Sequence, residues 1–500
     1  MGRRCTLGVD IGTSSTKGVL VAEDGTLLAT ASRSHDVSRP GTGRVEMDGM
    51  LWWDEFAAIA RELLAAAPDA VVAAVGVSGM GPCVLLVDAD DEPLRPAILY
   101  GVDMRATTQI ASLTAELGAD EIVARGGSSL TTQAVGPKLR WIAENEPEVF
   151  ARARRLYMPA SWLAARLTGC YVLDHHSASQ CWPLYDLEAG GWYAPWWSAI
   201  AGGIEPPELL WAGEVAGTVT PEAEATTGIP AGTPVIAGSI DAWTEAVSVG
   251  AVEPGDLMLM YGTTMFLVAT TSSAIRTPSM WTTAGIGAGT TSLAGGMATS
   301  GAITSWLREL VGGELDGGPG FAELTVEADR SGAGARGLLM LPYFAGERTP
   351  ILDPDARGVI AGLTLEHTRG DLYRAALEAT ALGVRHNVET MRAAGARIDR
   401  VVAVGGGTTG GLWTRIVSDA TGLSQQVPAV TIGASFGAAF LAACAVADPA
   451  PSIADWNPVV ETVDPDPLAA ATYEARWPLY RELYRATAPI VHALAGEEHA

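Results

Sequence analysis

The sequence predicts an α/β protein made of two domains of duplicated topology, and three observations carry that prediction. At 500 residues the chain exceeds what one core accommodates and suits two domains of about 200 to 250 residues each. Strand-like runs rich in β-branched residues alternate with stretches of helical spacing, the order that builds sheets covered by helices. One device also occurs twice, once in each half. Asp10-Ile11-Gly12-Thr13-Ser14-Ser15-Thr16-Lys17 and Tyr261-Gly262-Thr263-Thr264-Met265 both read strand, Gly-Thr turn, strand.

Leu7 to Asp10, Gly18 to Ala22 and Thr26 to Ala31, the last two joined at Asp24-Gly25, predict a three-stranded antiparallel meander. Trp52 to Ala66 has apolar residues at helical spacing, and Val71 to Val77 is a continuous apolar run typical of a strand covered on both faces. The second half repeats the order. Leu257 to Met260 and Phe266 to Ala269 flank the second turn, Leu372 to Arg392 reads as a helix, and Arg400 to Val404 reads as a buried strand ending in Gly405-Gly406-Gly407. Gly433 to Ala447, rich in small residues, reads as a buried helix. Pro254 and Gly255 interrupt the pattern, so the expected division is 1–250, 251–448, and a tail, 449–500, packing back on the body. In that tail Ala450 to Pro467 reads as a loop. Tyr473 to Leu494 reads as a helix that Pro478 and Pro489 break or kink.

Composition narrows the function classes. Hydrophobic residues at 48% against 18% charged describe a folded globular chain. A net charge of −25 with no basic cluster argues against a grip on nucleic acid, which needs Lys and Arg along a phosphate backbone. No apolar run reaches the ~20 residues that cross a bilayer, so no membrane partner is expected. The five cysteines are odd in number, scattered and without a C-x-x-C pair, as in reduced cytoplasmic proteins.

The chemistry-bearing candidates lie near the turns. Glycine lets the backbone bend tightly so that successive N–H groups and short hydroxyls can face one anion, which makes Gly12, Thr13, Ser14 and Lys17, and Gly262, Thr263 and Thr264, candidate phosphate-binding residues; ordinary hairpin turns are the alternative. Two such turns suggest one polyphosphate addressed by both halves. Asp241, closing the strand-like run from Pro234, is placed to take a proton from a hydroxyl attacking a terminal phosphoryl group; an N-cap is the alternative. Asp10, beside the first turn, suits Mg²⁺ directly or through water, with Asp241 as a second candidate. Gly405, Gly406 and Gly407 offer bare backbone to a nucleoside, or form a plain strand-to-helix turn. Trp182, Trp192, Trp196, Trp197 and Trp211 suggest an apolar lid, a subunit contact such as a homodimer would use, or the packing of a loop-rich subdomain. Asp174-His175-His176, read as a strand, would point to opposite faces and so make a poor metal site.

Several blocks in order resemble the FGGY family of carbohydrate kinases over nearly the whole chain. Asp10 to Leu20 looks like its first phosphate hairpin, and Gly262-Thr263-Thr264 looks like its second. Gly358-Val359-Ile360-Ala361-Gly362-Leu363, Asp371-Leu372 and Ala375-Ala376-Leu377-Glu378 are similar to its C-terminal signature. Leu341-Pro342-Tyr343-Phe344-Ala345-Gly346-Glu347-Arg348-Thr349-Pro350 resembles the corresponding segment of xylulokinases. The resemblance implies two actin-like, ribonuclease H-like ATPase domains around a central cleft, Mg-ATP as cosubstrate, Asp241 as general base, Asp10 near Mg²⁺, and Gly405 to Gly407 bordering adenosine. It implies transfer of the γ-phosphoryl group to a sugar hydroxyl.

The departures concern the sugar. Ser78-Gly79-Met80-Gly81-Pro82-Cys83 lacks the Gln and His that xylulokinases usually carry beside the Met, and Tyr100-Gly101-Val102-Asp103-Met104-Arg105 keeps their Asp and Arg but loses an amide. In Val135-Gly136-Pro137-Lys138-Leu139-Arg140-Trp141 a valine replaces a hydroxyl residue or proline of the N-terminal signature. Met80, Gly81, Asp103, Arg105 and Asp241 are the expected sugar contacts; for Asp103 and Arg105 a surface salt bridge is the alternative. D-xylulose is the default substrate, another ketose, polyol or aldonate the alternative. A nucleotide-gated actin-like sensor or scaffold is the competing non-catalytic reading.

Overall fold

A computed structural model describes residues 2–312 and 320–498. They cluster into two compact units. The first runs to Glu253 and takes in Thr270–Ser292 and Ile432–Pro458; the second holds Pro254–Ala269, Leu293–Thr431 and the chain from Val459 onward. The first boundary, after Glu253, lies beside Pro254 and Gly255, and two later segments return to the first unit. Local composition marks a turn, but it does not reveal which sheet a later helix will cover.

The elements that matter, in chain order, begin with β1 (Arg3–Ile11), β2 (Ser15–Ala22), β3 (Leu27–Ser34), α1 (Gly49–Ala66) and β4 (Ala70–Gly79). Then come β5 (Val215–Thr218), β6 (Pro234–Ile236), β7 (Ser239–Ile240), α2 (Asp241–Ser248), β8 (Asp256–Tyr261), β9 (Met265–Thr271), β10 (Thr291–Met297) and α3 (Gly301–Gly312). The remainder are α4 (Arg369–Ala393), β11 (Arg400–Val404), α5 (Leu412–Thr421), β12 (Gln425–Pro428), α6 (Ala434–Val446), β13 (Val459–Val463) and α7 (Pro467–Glu498).

In the first unit the sheet order is β5-β6-β4-β1-β2-β3, with β7 also pairing β4. β1, β2 and β3 form the antiparallel meander, and β4 runs parallel to β1. Helix α1 starts where Asp48 accepts the Met50 amide, and it buries Trp52, Phe56 and Leu63 with Leu7, Val9 and Leu20 of the sheet. On the opposite face α6 lies directly on backbone. A Cβ on Gly8 would stand 2.0 Å from the Ser435 carbonyl, one on Gly76 2.0 Å from that of Ala438, and one on Gly437 2.0 Å from that of Thr244 in α2. Glycine at these three positions, not apolar bulk, lets this alanine-rich helix seat.

In the second unit β10-β9-β8-β11-β12-β13 are neighbours in order. β8 and β9 are antiparallel, β8, β11 and β12 are parallel, and β13 closes antiparallel on β12. Thr368 and Asp371 form a reciprocal capping box at the start of α4. The expected loop between Ala450 and Pro467 contains a short helix, Ile453–Trp456, and β13; valines at 459, 460 and 463 supply strand propensity that the prolines and aspartates masked. Nor do Pro478 and Pro489 end α7, which is one helix from Pro467 to Glu498. An interior proline costs about 3 kcal/mol. Burial of Tyr473, Trp477, Tyr480 and Val491 along the same helix offsets that cost.

Asp174-His175-His176 is not a strand. Asp174 ends one, Val172–Asp174, and caps the short helix His175–Ser179 by accepting the Ser177 amide. The tryptophans pack the loops around it. Trp182 Nε1 donates to the Gly126 carbonyl, Trp192 Nε1 to that of Pro207 and Trp197 Nε1 to that of Ile204, while Trp211 stacks on His175 at 4.4 Å.

Candidate active site

β4 sets the stage in the first unit. It lies between β1 and β7, with Asp10 opposite Ser78 on one side and Ser239 and Ile240 opposite Ser78 and Gly79 on the other. Asp10 and Asp241, the first residue of α2, therefore flank the end of one strand, about 10 Å apart by strand spacing. Burial raises the Asp241 carboxyl to about 6 against the pull of the Ala242 amide, which donates to its Oδ1 at 2.7 Å. Asp10 is pushed up to about 8 by burial and then by the negative charges of Asp241 and Glu245, with Ser78 and Lys17 opposing. Its Oδ1 is buried without a hydrogen-bond partner. Lys17 is the cross-strand neighbour of Asp10, so their side chains share a face.

Glu245 is the residue that sequence reasoning missed. It stands one helical turn after Asp241, and burial together with the Asp241 charge raises its carboxyl to about 7, while Lys17 and the Ala434 amide pull it down. The i, i+4 spacing on a predicted helix was a readable signal for it.

The first turn closes with the Gly12 amide on the Ser15 carbonyl at 3.0 Å, and Ser14 is exposed. Thr13 Oγ1 is 2.8 Å from Tyr100 Oη and 3.7 Å from Met80 Sδ, which joins the candidate phosphate turn to the candidate sugar segment. A Cβ on Gly81 would meet Ile240 at 2.6 Å, so this segment packs against the strand that leads into Asp241.

Asp103 and Arg105 are placed differently from the expectation. Asp103 is 1% exposed and accepts from the Val45 and Arg105 amides as well as from the Arg105 guanidinium. Arg105 also reaches Glu46 at 2.7 Å and lies over the Trp141 ring. The pair is thus neither a surface salt bridge nor two open hydroxyl-binding groups. It is a buried ion network that holds the loop carrying Tyr100.

The second unit has its own turn. The Gly262 amide reaches the Thr264 carbonyl at 3.1 Å, one residue shorter than the first turn. Its carbonyls sit on the start of α3: Gly262 C=O accepts from Ser300 Oγ and the Gly301 amide, each at 3.0 Å, and Thr263 C=O accepts from the Ser300 and Ala302 amides. Of the three glycines after β11, two are explained by packing. A Cβ on Gly405 would lie 2.5 Å from the Tyr261 carbonyl, and one on Gly407 2.9 Å from the Trp413 ring; only Gly406 faces open space.

Among the described residues no group of three or more His, Cys, Asp or Glu side chains is spaced to hold a metal, and no helix is long and apolar enough to cross a membrane.

Comparison with known proteins agrees with this architecture. Residues 5–248 match the N-terminal domain of the FGGY family of carbohydrate kinases, and residues 257–446 match its C-terminal domain. The chain belongs to that family: it is a carbohydrate kinase, a phosphotransferase with an alcohol group as acceptor, on the two-domain actin-like α/β fold. Its relatives include the xylulose kinase of Escherichia coli strain K12, 29% identical over 97% of this chain and 99% of that one, and the glycerol kinase of Nocardia farcinica, 30% identical over 89% of this chain and 90% of that one. The crystal structure of xylulose kinase from Rhodospirillum rubrum superposes with a TM-score of 0.91 at 35% identity, covering 98% of this chain and 100% of that one.

Proposed function

We propose that this kinase transfers the γ-phosphoryl group of Mg-ATP to a hydroxyl of a ketopentose, D-xylulose first, with Asp241 as general base. The observation that carries this reading is the pair Asp10 and Asp241 at the end of β4, two carboxyls held above their ordinary range with one buried oxygen unpartnered. As the substrate oxygen attacks phosphorus in line, its proton passes to the Asp241 carboxylate, the bond from phosphorus to the ADP oxygen breaks, and sugar phosphate and ADP result. Gly12, Thr13, Ser14 and Lys17 in the first unit and Gly262, Thr263 and Thr264 in the second are the phosphate-binding groups, and Gly406 is the glycine left open to adenosine.

The Asp10 carboxylate fits Mg²⁺, a hard cation taking oxygen ligands, and Asp241 would join it through water. When bound, the cation neutralises charge on the phosphate oxygens. The sugar is selected around Met80, Gly81 and Tyr100, with Asp103 and Arg105 acting through the loop they brace. Met80 being apolar and buried, a smaller polyol such as glycerol is the second reading, favoured by the resemblance to a glycerol kinase.

ADP release in a coupled assay, screening ketopentoses, ketohexoses, polyols and aldonates beside Asp241→Asn, tests both. Preference for D-xylulose supports the first reading and preference for a polyol the second. No turnover above water with any acceptor rejects both.

A further inference from the structure

His35 sits immediately behind the first turn. Its backbone amide donates to the Ser14 carbonyl at 3.1 Å, its Nε2 lies 3.0 Å from the Gly12 carbonyl, and its Nδ1 lies 2.9 Å from Glu55 Oε2 on α1. The side chain is 4% exposed. Both ring nitrogens therefore face acceptors. A carbonyl oxygen has no proton to give, and an ionised Glu55, whose Oε2 also lies 2.5 Å from Thr16 Oγ1, has none either. Both bonds form only when the ring carries two protons. His176 in the same unit makes the contrast. Its Nδ1 meets the Ala284 carbonyl, but its Nε2 meets the Gln180 amide, one acceptor and one donor, the arrangement of a neutral ring.

We propose that His35, as an imidazolium paired with Glu55, is the positioning residue of the first phosphate-binding turn. In a planar trans peptide the C=O and N–H point in opposite directions. Fixing the Gly12 and Ser14 carbonyls on His35 turns the Thr13 and Ser15 amides away from it, toward the open side of the turn. The second turn is held in the same way by other means: Ser300 and the first amides of α3 take the Gly262 and Thr263 carbonyls. The charged groups near His35 are Glu55 facing it from α1, Asp36 beside it, and Arg33 two residues back, whose guanidinium is drawn off to Glu62. Lys17 acts on Asp10 and Glu245.

The inference rests on the kinase reading for its kinetic part only. In the full-length protein with ¹⁵N-labelled histidine at pH 7, the two-bond ¹H–¹⁵N spectrum should show both ring nitrogens of His35 protonated, while His176 shows one; His35→Gln assigns the signal, or Glu55→Gln does so if that variant does not fold. A singly protonated His35 overturns the proposal. In folded His35→Gln and Glu55→Gln, kcat/KM for ATP should fall about tenfold or more, through KM above all, with the KM for the sugar within about twofold. An unchanged KM for ATP, or equal loss toward both substrates, overturns the positioning role. Absence of turnover in the wild type with any acceptor rejects the kinase reading instead, and the spectrum still decides the protonation of His35.

Discussion

The Glu245 carboxylate fills the place where a side chain on Gly433 would stand: a Cβ there would lie 2.6 Å from Oε2. Gly433 also has φ of 104°, a conformation that favours glycine. Gly433→Ala should therefore displace Glu245 and destabilise the first unit by about 1–3 kcal/mol, read as a lower urea midpoint. An unchanged midpoint would show that Glu245 moves aside without cost.

Asp241→Asn should lower kcat by about 10² to 10⁴-fold, the usual range for a general base, while nucleotide affinity by calorimetry stays within about threefold. In the wild type with Mg-ATP saturating, kcat/KM for the sugar should decline below about pH 6, because the base acts only without its proton and burial raises it to about 6. Near-normal turnover in the variant would remove Asp241 from the role.

Gly262→Val should weaken ATP use. The added Cβ would meet the Thr264 carbonyl at 3.2 Å, and its branches would cover the turn amides proposed to face the anion. A raised KM for ATP with an unaltered KM for the sugar is expected. The reverse pattern would place the second turn elsewhere in the reaction.

Asp10, raised to about 8, holds its proton at pH 7 in the absence of a cation. A divalent cation requires the ionised form, so binding of Mg-nucleotide at pH 7 should release up to one proton, and affinity should climb with pH until about 8. Calorimetry in buffers of different ionisation enthalpy measures the release. Asp10→Asn should abolish it.

His176 is neutral in the folded protein because burial drives it down to about 3, the Ala284 carbonyl opposing only in part. The unfolded chain binds that proton near 6.5, so its contribution is complete above about pH 6.5 and is lost as pH falls toward 3, at no more than about 1.4 kcal/mol per pH unit. His176→Gln should flatten the acid side of the stability curve. A curve parallel to the wild type would assign the acid sensitivity to other groups.

What the sequence made legible was local. β11 was read to the residue, Arg400–Val404, because a valine-rich run ends abruptly in glycine, and the β1 to β3 meander followed from Asp24-Gly25 and alternating apolar runs. The extent of α7 was hidden because interior prolines signal a break, whereas tertiary burial overrides that signal here. The repeated Gly-Thr turn singled out both turns and Asp10 as candidates, and the strand-like run from Pro234 singled out Asp241. Partners distant in sequence stayed invisible: nothing in Asp103-Met104-Arg105 announces Glu46 or Trp141, and nothing in Ser34-His35 announces Gly12 and Glu55. Gly8 and Gly76 read as ordinary strand glycines until α6 is laid on them.

That last contact governs the timing of folding. The face of β1 and β4 that carries Gly8 and Gly76 is completed by a helix that leaves the ribosome only after the chain has passed from residue 253 to residue 432. At about 5–20 residues per second that interval is on the order of ten to thirty seconds. Throughout it the Gly8 and Gly76 face of the first unit lacks the helix that covers it in the finished fold.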